Sequence, residues 1–401
     1  MSALFSTFRL GPLDLGNRIV VSPMCQYSAE NGCPQSWHLI HAGSLMMSGA
    51  GLVILEATAV EARGRITHGC LGLYTDEQET ALGGIVREAR KLSGARIGIQ
   101  LGHAGRRGSA RSIRDRWKGE SLPPEEGAWR TCSASAIAYN DQWAVPEELT
   151  PGGIADLVEA YADAARRAVR AGFDLVEVHA AHGYLLHGFL SPLTNQRSDS
   201  YGGSLENRMR FPLEVVRAVR TAVDGRIALG VRVNSTDWHP DGATPDDAIV
   251  FAKALEAEGV DYVVMSAGNL VPDAVIPPAS PGHQVPFATR IKQETGLAAM
   301  AVGFIVDPQQ AESIVANGEA DLVAIARAII DDPRWGWHAA AALGADIDYP
   351  PQYLRARPNN WTGYRIVHPD SQPASSSTQA DRPSASGWDR PDGAGRNRRA
   401  G

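Results

Sequence analysis

The chain of 401 residues carries a formal net charge of -7, with 44% hydrophobic and 21% charged residues, a soluble globular profile that argues against nucleic acid or any other polyanion as partner. No apolar run reaches the roughly 18 residues of a membrane span, and the N-terminus MSALFSTFRL lacks the charged start and apolar stretch of a signal peptide, so a cytoplasmic protein without membrane contact is expected. Cys25, Cys33, Cys70 and Cys132 show no Cys-x-x-Cys spacing, which speaks against an iron–sulfur cluster, a zinc ribbon and, at this length, a disulfide framework.

Along the chain, eight short runs rich in Val, Ile, Leu and Ala read as strands: Arg18 to Met24, Gly51 to Ala57, Arg96 to Gly102, Phe173 to His179, Ile227 to Val233, Val260 to Ser266, Ala298 to Val302 and Leu322 to Ile325. Their near-continuous hydrophobicity is that of strands buried on both faces of a parallel sheet. Amphipathic stretches fill the gaps, among them Ile154 to Ala171, Leu205 to Val223, Pro245 to Glu258 and Pro308 to Asn317. Thr244 before Pro245 and Asp307 before Pro308 are helix starts, a capping side chain ahead of a proline whose missing N–H costs nothing there. The repeated β-α order predicts an α/β protein built as a closed (β/α)8 TIM barrel over residues 1–358; an open doubly wound sheet is disfavoured by the lack of a Gly-x-Gly-x-x-Gly turn after any strand. Gly102 to Thr150 is a long polar excursion after the third strand, expected as a small hairpin capping the barrel mouth, and His182 to Arg208 form a second insertion. From about Pro369 the chain turns to Ser, Pro, Gly, Asp and Arg, and 369–401 is expected to be a disordered low-complexity tail.

In such barrels the chemistry sits at the C-terminal ends of the strands. These ends offer Cys25, Ala57, Gln100 with His103, His179 with His182, Arg232, Ser266, Gly303 and Arg327. A guanidinium held there, as at Arg232, needs an anionic or hydrogen-bonding partner. His179 and His182, at i and i+3 with Tyr184 following, are open to three readings: a structural pair, a metal site, or donors gripping a substrate oxygen. A zinc site would want a further ligand, and only Glu56 and Glu177 lie near, each inside its strand, so no metal is expected; the same placement counts against a paired-carboxylate glycosidase. Gly303 and the Ala326-Arg327 turn fit a phosphate site after strands seven and eight. Together these residues suit a flat, phosphate-bearing cofactor lying over the barrel.

Ser-Pro-Met-Cys-Gln-Tyr at 22–27, Trp-His-Leu-Ile-His at 37–41, Ile-Gln-Leu-Gly-His-Ala-Gly-Arg at 99–106, His-Ala-Ala-His-Gly-Tyr-Leu at 179–185 and FLSPLTNQRSDSYGGSLENR at 189–208 resemble the Old Yellow Enzyme family, over roughly Leu4 to Arg357. Cysteine after Pro-Met, here Cys25, resembles the bacterial xenobiotic-reductase or thermophilic-like branch. The resemblance implies noncovalent FMN, reduced by NADPH or NADH and reoxidised by an activated alkene such as an enone, enal, maleimide or nitroalkene. It assigns Pro23, Met24 and Ala57 to line the flavin ring, Gln100 and Arg232 to its pyrimidine edge, Gly303, Ala326 and Arg327 to the phosphate, and Cys25 to its O4/N5 region. His179 and His182 would hold the substrate oxygen, Tyr184 would protonate the α-carbon, and Tyr27 would wall the substrate, with Tyr27 as the alternative acid. Arg355, in Gln352-Tyr353-Leu-Arg355, is the candidate lent to a neighbouring subunit, which implies a homodimer or higher homo-oligomer. Ala326 stands where many relatives carry glycine, and Ser266 to Asn269 with the proline-rich Leu270 to His283 depart from the family pattern. Between Arg106 and Lys118, five arginines and one lysine face Asp115 alone, expected as a solvated loop, with attraction of cofactor phosphates as the alternative.

Competing readings remain at this point: a biosynthetic flavin oxidase or desaturase on the same scaffold, a flavin-binding barrel without turnover, and a metal-dependent hydrolase. One barrel hosts many chemistries.

Overall fold

A computed structural model describes residues 2–112 and 120–368; the expected tail at 369–401, and residues 113–119 of the basic excursion, lie outside them. The chain opens with β1 (Phe8–Leu10), β2 (Leu13–Leu15), β3 (Ile19–Val21), α1 (Ser36–Met46), β4 (Leu52–Ala59), α2 (Asp76–Ala89) and β5 (Arg96–Gly102). The excursion holds β6 (Cys132–Ser133) and β7 (Glu147–Glu148), after which come α3 (Pro151–Ala171), β8 (Leu175–Ala180), α4 (Leu185–Leu190), α5 (Leu205–Val223), β9 (Ala228–Asn234) and α6 (Pro245–Ala257). The remainder is β10 (Tyr262–Ser266), α7 (Val285–Glu294), β11 (Ala298–Ala301), α8 (Pro308–Ala316), β12 (Leu322–Ile325), α9 (Arg327–Asp331), α10 (Trp335–Leu343) and α11 (Tyr364–Val367).

All eight expected strands pair in parallel and close in the order β10-β11-β12-β3-β4-β5-β8-β9. Side chains alternate between two cores, as the period of a strand requires. Val20, Leu52, Ile54, Leu175, Ala228, Tyr262, Val264, Met300, Leu322 and Ala324 fill the barrel, joined by Leu10, Leu13 and Leu15 of the β1–β2 hairpin, which plugs the N-terminal end. Their neighbours, such as Ile19, Val53, Ile97, Val176, Val231 and Val323, face outward into the helices. Burial on both faces is why the runs lack a polar alternation.

The first strand is shorter than expected and ends at Val21. Ser22 N still reaches Ile325 O at 2.9 Å, but Pro23 has no N–H to continue the ladder, and the chain leaves the barrel toward Tyr27, whose φ is 50°. The excursion is also different: β6 and β7 pair in parallel, Cys132 opposite Glu147, and not as a hairpin, because a parallel pair needs a return crossover. The helix starts at Thr244 and Asp307 are realised, with each side chain accepting the N–H of the third helical residue and a proline at the start.

Inside the barrel, small residues face large ones. A Cβ added to Gly230 would lie 2.0 Å from the Tyr262 ring, whose hydroxyl donates to Glu177 Oε2 at 2.9 Å. Gly230→Ala is therefore expected to lower stability by about 3 kcal/mol through overpacking, and Asp307→Ala by about 1 kcal/mol through the lost cap; urea unfolding of the two variants checks the order.

Candidate active site

The inner faces of neighbouring strands deliver polar side chains to the barrel mouth in register. Gln100 stands opposite Glu177, Glu177 opposite Gly230 and His179 opposite Arg232. In β4 the register slips between Leu55 and Ala57, so that Ala57 comes opposite Gln100. The slip is a bulge and turns Glu56 away from the mouth, where its Oε1 lies 3.4 Å from His38 Nε2 and its Oε2 accepts the Gln26 N–H at 3.0 Å.

Glu177 is wholly buried. Its carboxylate accepts from Gln100 Nε2 at 2.6 Å and from Tyr262, and while burial raises its pKa, Arg232 and these two donors oppose the rise. Arg232 donates through Nη1 to Ser22 Oγ at 3.1 Å, and its Nε–H is buried without a partner. A buried guanidinium donor left open calls for an acceptor from a ligand.

Beside it the His179 ring meets the rings of His182 and Tyr184 edge-on, each with centroids 5.1 Å apart. Burial, and next the charge of Arg232, hold both imidazoles well below their ordinary pKa, so both are neutral at neutral pH. Burial pushes the Tyr184 hydroxyl upward, keeping it protonated. His182 Nε2 lies 2.7 Å from Ser266 Oγ, and His179 Nδ1 has no partner. His182 and Gly183 take φ values of 59° and 74°, a turn clasped by Arg107, whose Nη1 donates to His182 O at 2.6 Å and whose guanidinium covers the Tyr184 ring at 5.5 Å.

A cavity of about 460 Å³ opens over the strand ends, lined by Ser22, His182, Arg232, Ser266, Gly303, Ala326 and Arg327 among others. Gly303 has φ 106°, open to glycine and strained for other residues, and Arg327 stacks over Phe304 at 5.0 Å. Backbone N–H groups beside an arginine at one end and the open Arg232 donor at the other fit a planar ring carrying a phosphate arm. Ala57 joins His179 and Tyr184 around an adjoining small void, Met24 lines another with His38 and Glu56, and Gln100 lies buried below. Pro23 joins Ser22 to Met24. Cys25 is half-buried; burial pushes its thiol well above the usual range, against a hydrogen bond with Tyr27, so the thiol form persists. Arg355 sits on the exposed turn Pro351–Ala356 and does not line this cavity.

The expectation of a solvated basic loop fails at its start. Arg106 is buried and donates to Leu270 O at 2.7 Å, and Arg107 clasps the turn at His182, while Arg111 pairs with Glu126 at 2.7 Å. Reading the run as surface charge missed that backbone carbonyls of the mouth loops required donors. Among the described residues, Glu61, His103 and Cys132 bring metal-capable atoms within 4.8 Å of one another. Gly105 N–H donates to His103 Nδ1 at 3.0 Å, which leaves the ring proton on Nε2, 2.8 Å from Glu61 Oε1. That cluster reads as a hydrogen-bonded brace.

Residues 3–344 match the family model described as NADH:flavin oxidoreductase / NADH oxidase. The chain is 43% identical to the NADPH dehydrogenase of Geobacillus sp. (strain WCH70), over 88% of this chain and 98% of that protein. It is 45% identical to the NADPH dehydrogenase of Listeria welshimeri, over 89% and 99% respectively. Among solved structures it resembles morphinone reductase, with a TM-score of 0.70 and 29% identity over 88% of this chain and 92% of that one. It also resembles a 2-naphthoyl-CoA reductase complex, with a TM-score of 0.76 and 25% identity over 92% of this chain, which spans only 56% of that longer protein. The chain belongs to the NADH:flavin oxidoreductase / NADH oxidase family, the Old Yellow Enzyme family.

Proposed function

We propose that this FMN-dependent oxidoreductase takes reducing equivalents from NADPH or NADH and reduces the C=C bond of electron-poor alkenes such as enones, enals, maleimides and nitroalkenes. The observation that carries the reading is the pair of neutral imidazoles, His179 and His182, packed against a protonated Tyr184 beside the buried Arg232. Neutral N–H donors polarise a carbonyl or nitro oxygen without presenting an acid strong enough to transfer a proton to it. Bound FMN supplies the hydride that the polarised β-carbon accepts. Tyr184 then gives its proton to the α-carbon; burial keeps that proton in place until the developing enolate, a stronger base than the phenolate, takes it. Arg232, with its open Nε–H, would balance negative charge at the edge of a bound flavin, with Gln100 at the same edge. Gly303, Ala326 and Arg327 hold the phosphate, Pro23, Met24, Cys25 and Ala57 line the ring, and Tyr27 walls the substrate. Arg355 acts from a neighbouring subunit of a homodimer.

The purified protein is expected to be yellow, to bleach with NADPH without oxygen, and to regain colour with 2-cyclohexenone; a colourless protein unable to take up FMN would defeat this reading. Tyr184→Phe is expected to slow reoxidation by the enone about 10²- to 10⁴-fold while bleaching by NADPH and FMN content persist. Arg355→Ala is expected to raise KM for the enone in a protein that elutes as a dimer, and elution as a monomer removes the role given to Arg355.

A further inference from the structure

The turn that carries Tyr184 is held from below by a buried carboxylate–imidazole pair. His187, on α4, accepts the Gly183 N–H at Nδ1, 2.9 Å away, and its Nε2 faces Asp237 Oδ1 at 2.8 Å. A ring nitrogen that accepts carries no proton, so the proton sits on Nε2 and is donated to the carboxylate. The other oxygen of Asp237 accepts from Ser191 Oγ at 2.6 Å and from Ala243 N at 2.7 Å. Asp237 is 0% exposed and His187 1%. Burial opposes the charge on Asp237, yet His187, Ser191 and Ala243 together hold it below the usual carboxylate range.

The neighbours of Gly183 have anchors of their own. His182 is fixed by Asn234 at its N–H (3.2 Å), by Ser266 at its ring and by Arg107 at its carbonyl. Gly183 is confined by its backbone: a Cβ there would lie 2.5 Å from Asn269 O, and its φ of 74° is left-handed. Its N–H bond to His187 sets where Tyr184 starts, together with the bonds of Tyr184 N to Ala181 O at 3.2 Å and Leu185 N to His103 O at 3.0 Å. We infer that His187 and Asp237 are positioning residues for proton delivery by Tyr184, with Asp237 fixing the tautomer that presents His187 Nδ1 as an acceptor to Gly183. With the other tautomer, two N–H donors would face each other and the turn would open. This inference rests on the proposed role of Tyr184.

Two substitutions in the FMN-loaded enzyme separate positioning from stability. His187→Asn places an amide oxygen near Nδ1, able to accept from Gly183 but too short for Asp237; His187→Gln places its amide near Nε2, able to donate to Asp237 but leaving Gly183 unbonded. A displaced reacting group costs orders of magnitude in rate, so kcat for 2-cyclohexenone is expected to be at least about tenfold lower in H187Q than in H187N, with KM within about twofold. The thermal midpoint is expected to run the other way, because H187Q keeps the buried charge bonded. In a Tyr184→Phe background the difference in kcat should vanish. Activity that follows the thermal midpoint, or equal kcat in the two variants, overturns the inference while leaving the proposed function intact. A Tyr184→Phe enzyme as fast as the parent overturns the functional reading and this inference with it. Should the variants at 187 fail to fold, Asp237→Asn carries the test: a kcat about tenfold lower at unchanged KM and FMN content supports the inference, and an unchanged kcat overturns it.

Discussion

A carboxylate without water, Glu177, is the constraint around which the mouth is organised. Burying it is tolerable only because Gln100 and Tyr262 donate to it and the guanidinium of Arg232 lies near, since an unpaired buried charge would shift its pKa or unfold its surroundings. Each partner comes from a different strand: Gln100 from β5, Tyr262 from β10, Arg232 from β9. The charge thereby locks the relative register of four strands at the level where the cofactor site begins. It also keeps Arg232 in place without consuming all of its donors, which leaves the Nε–H for a ligand.

Above that floor the site works by withholding charge. His179 and His182 are buried next to a fixed cation, so protonating them would add like charge to a region of low dielectric. They remain donors of modest acidity, and Tyr184, pushed the other way by the same burial, keeps its proton. One physical cause, desolvation, thus gives a neutral histidine pair beside a protonated tyrosine, the states that the proposed roles require. The clasp of Arg107 on His182 O adds positive charge to the same side, which holds the histidines down further and partly offsets the rise at Tyr184.

The eight strands and several helix starts were legible because they depend on local signals: continuous apolar runs and a cap followed by proline. Of the motifs at 22–27, 99–106 and 179–185, Ser22 and His182 line the cavity at the mouth, and His103, His179 and Tyr184 line a smaller void. What escaped was long-range. Glu177 reads in sequence as an awkward residue within a strand, and only the register with β5 and the approach of Tyr262 from across the barrel reveal its partners. Glu56, at a similar place in its own strand, goes to His38 because a bulge shifts the side-chain alternation, and a one-residue slip leaves no mark in composition. Arg106 and Arg107 resembled a solvated run because the carbonyls they satisfy belong to loops far away in sequence. His187 and Asp237, paired over such a distance, were invisible for the same reason.

The plug at the barrel's N-terminal end ties the two extremities of the fold together. Leu10, Leu13 and Leu15 are covered by side chains of β10, β11 and β12 as well as by those of the early strands, and β3 completes its ladder against β12, with Ile19 opposite Val323. Nearby, the N–H groups of Ala3 and Leu4 bond to Glu312 at 2.7 and 2.9 Å. A chain lacking its last strand therefore leaves its first hairpin only partly covered. The plug and the seam are contacts of high sequence separation, which slow folding, and they couple the stability of the first hairpin to that of the last strand.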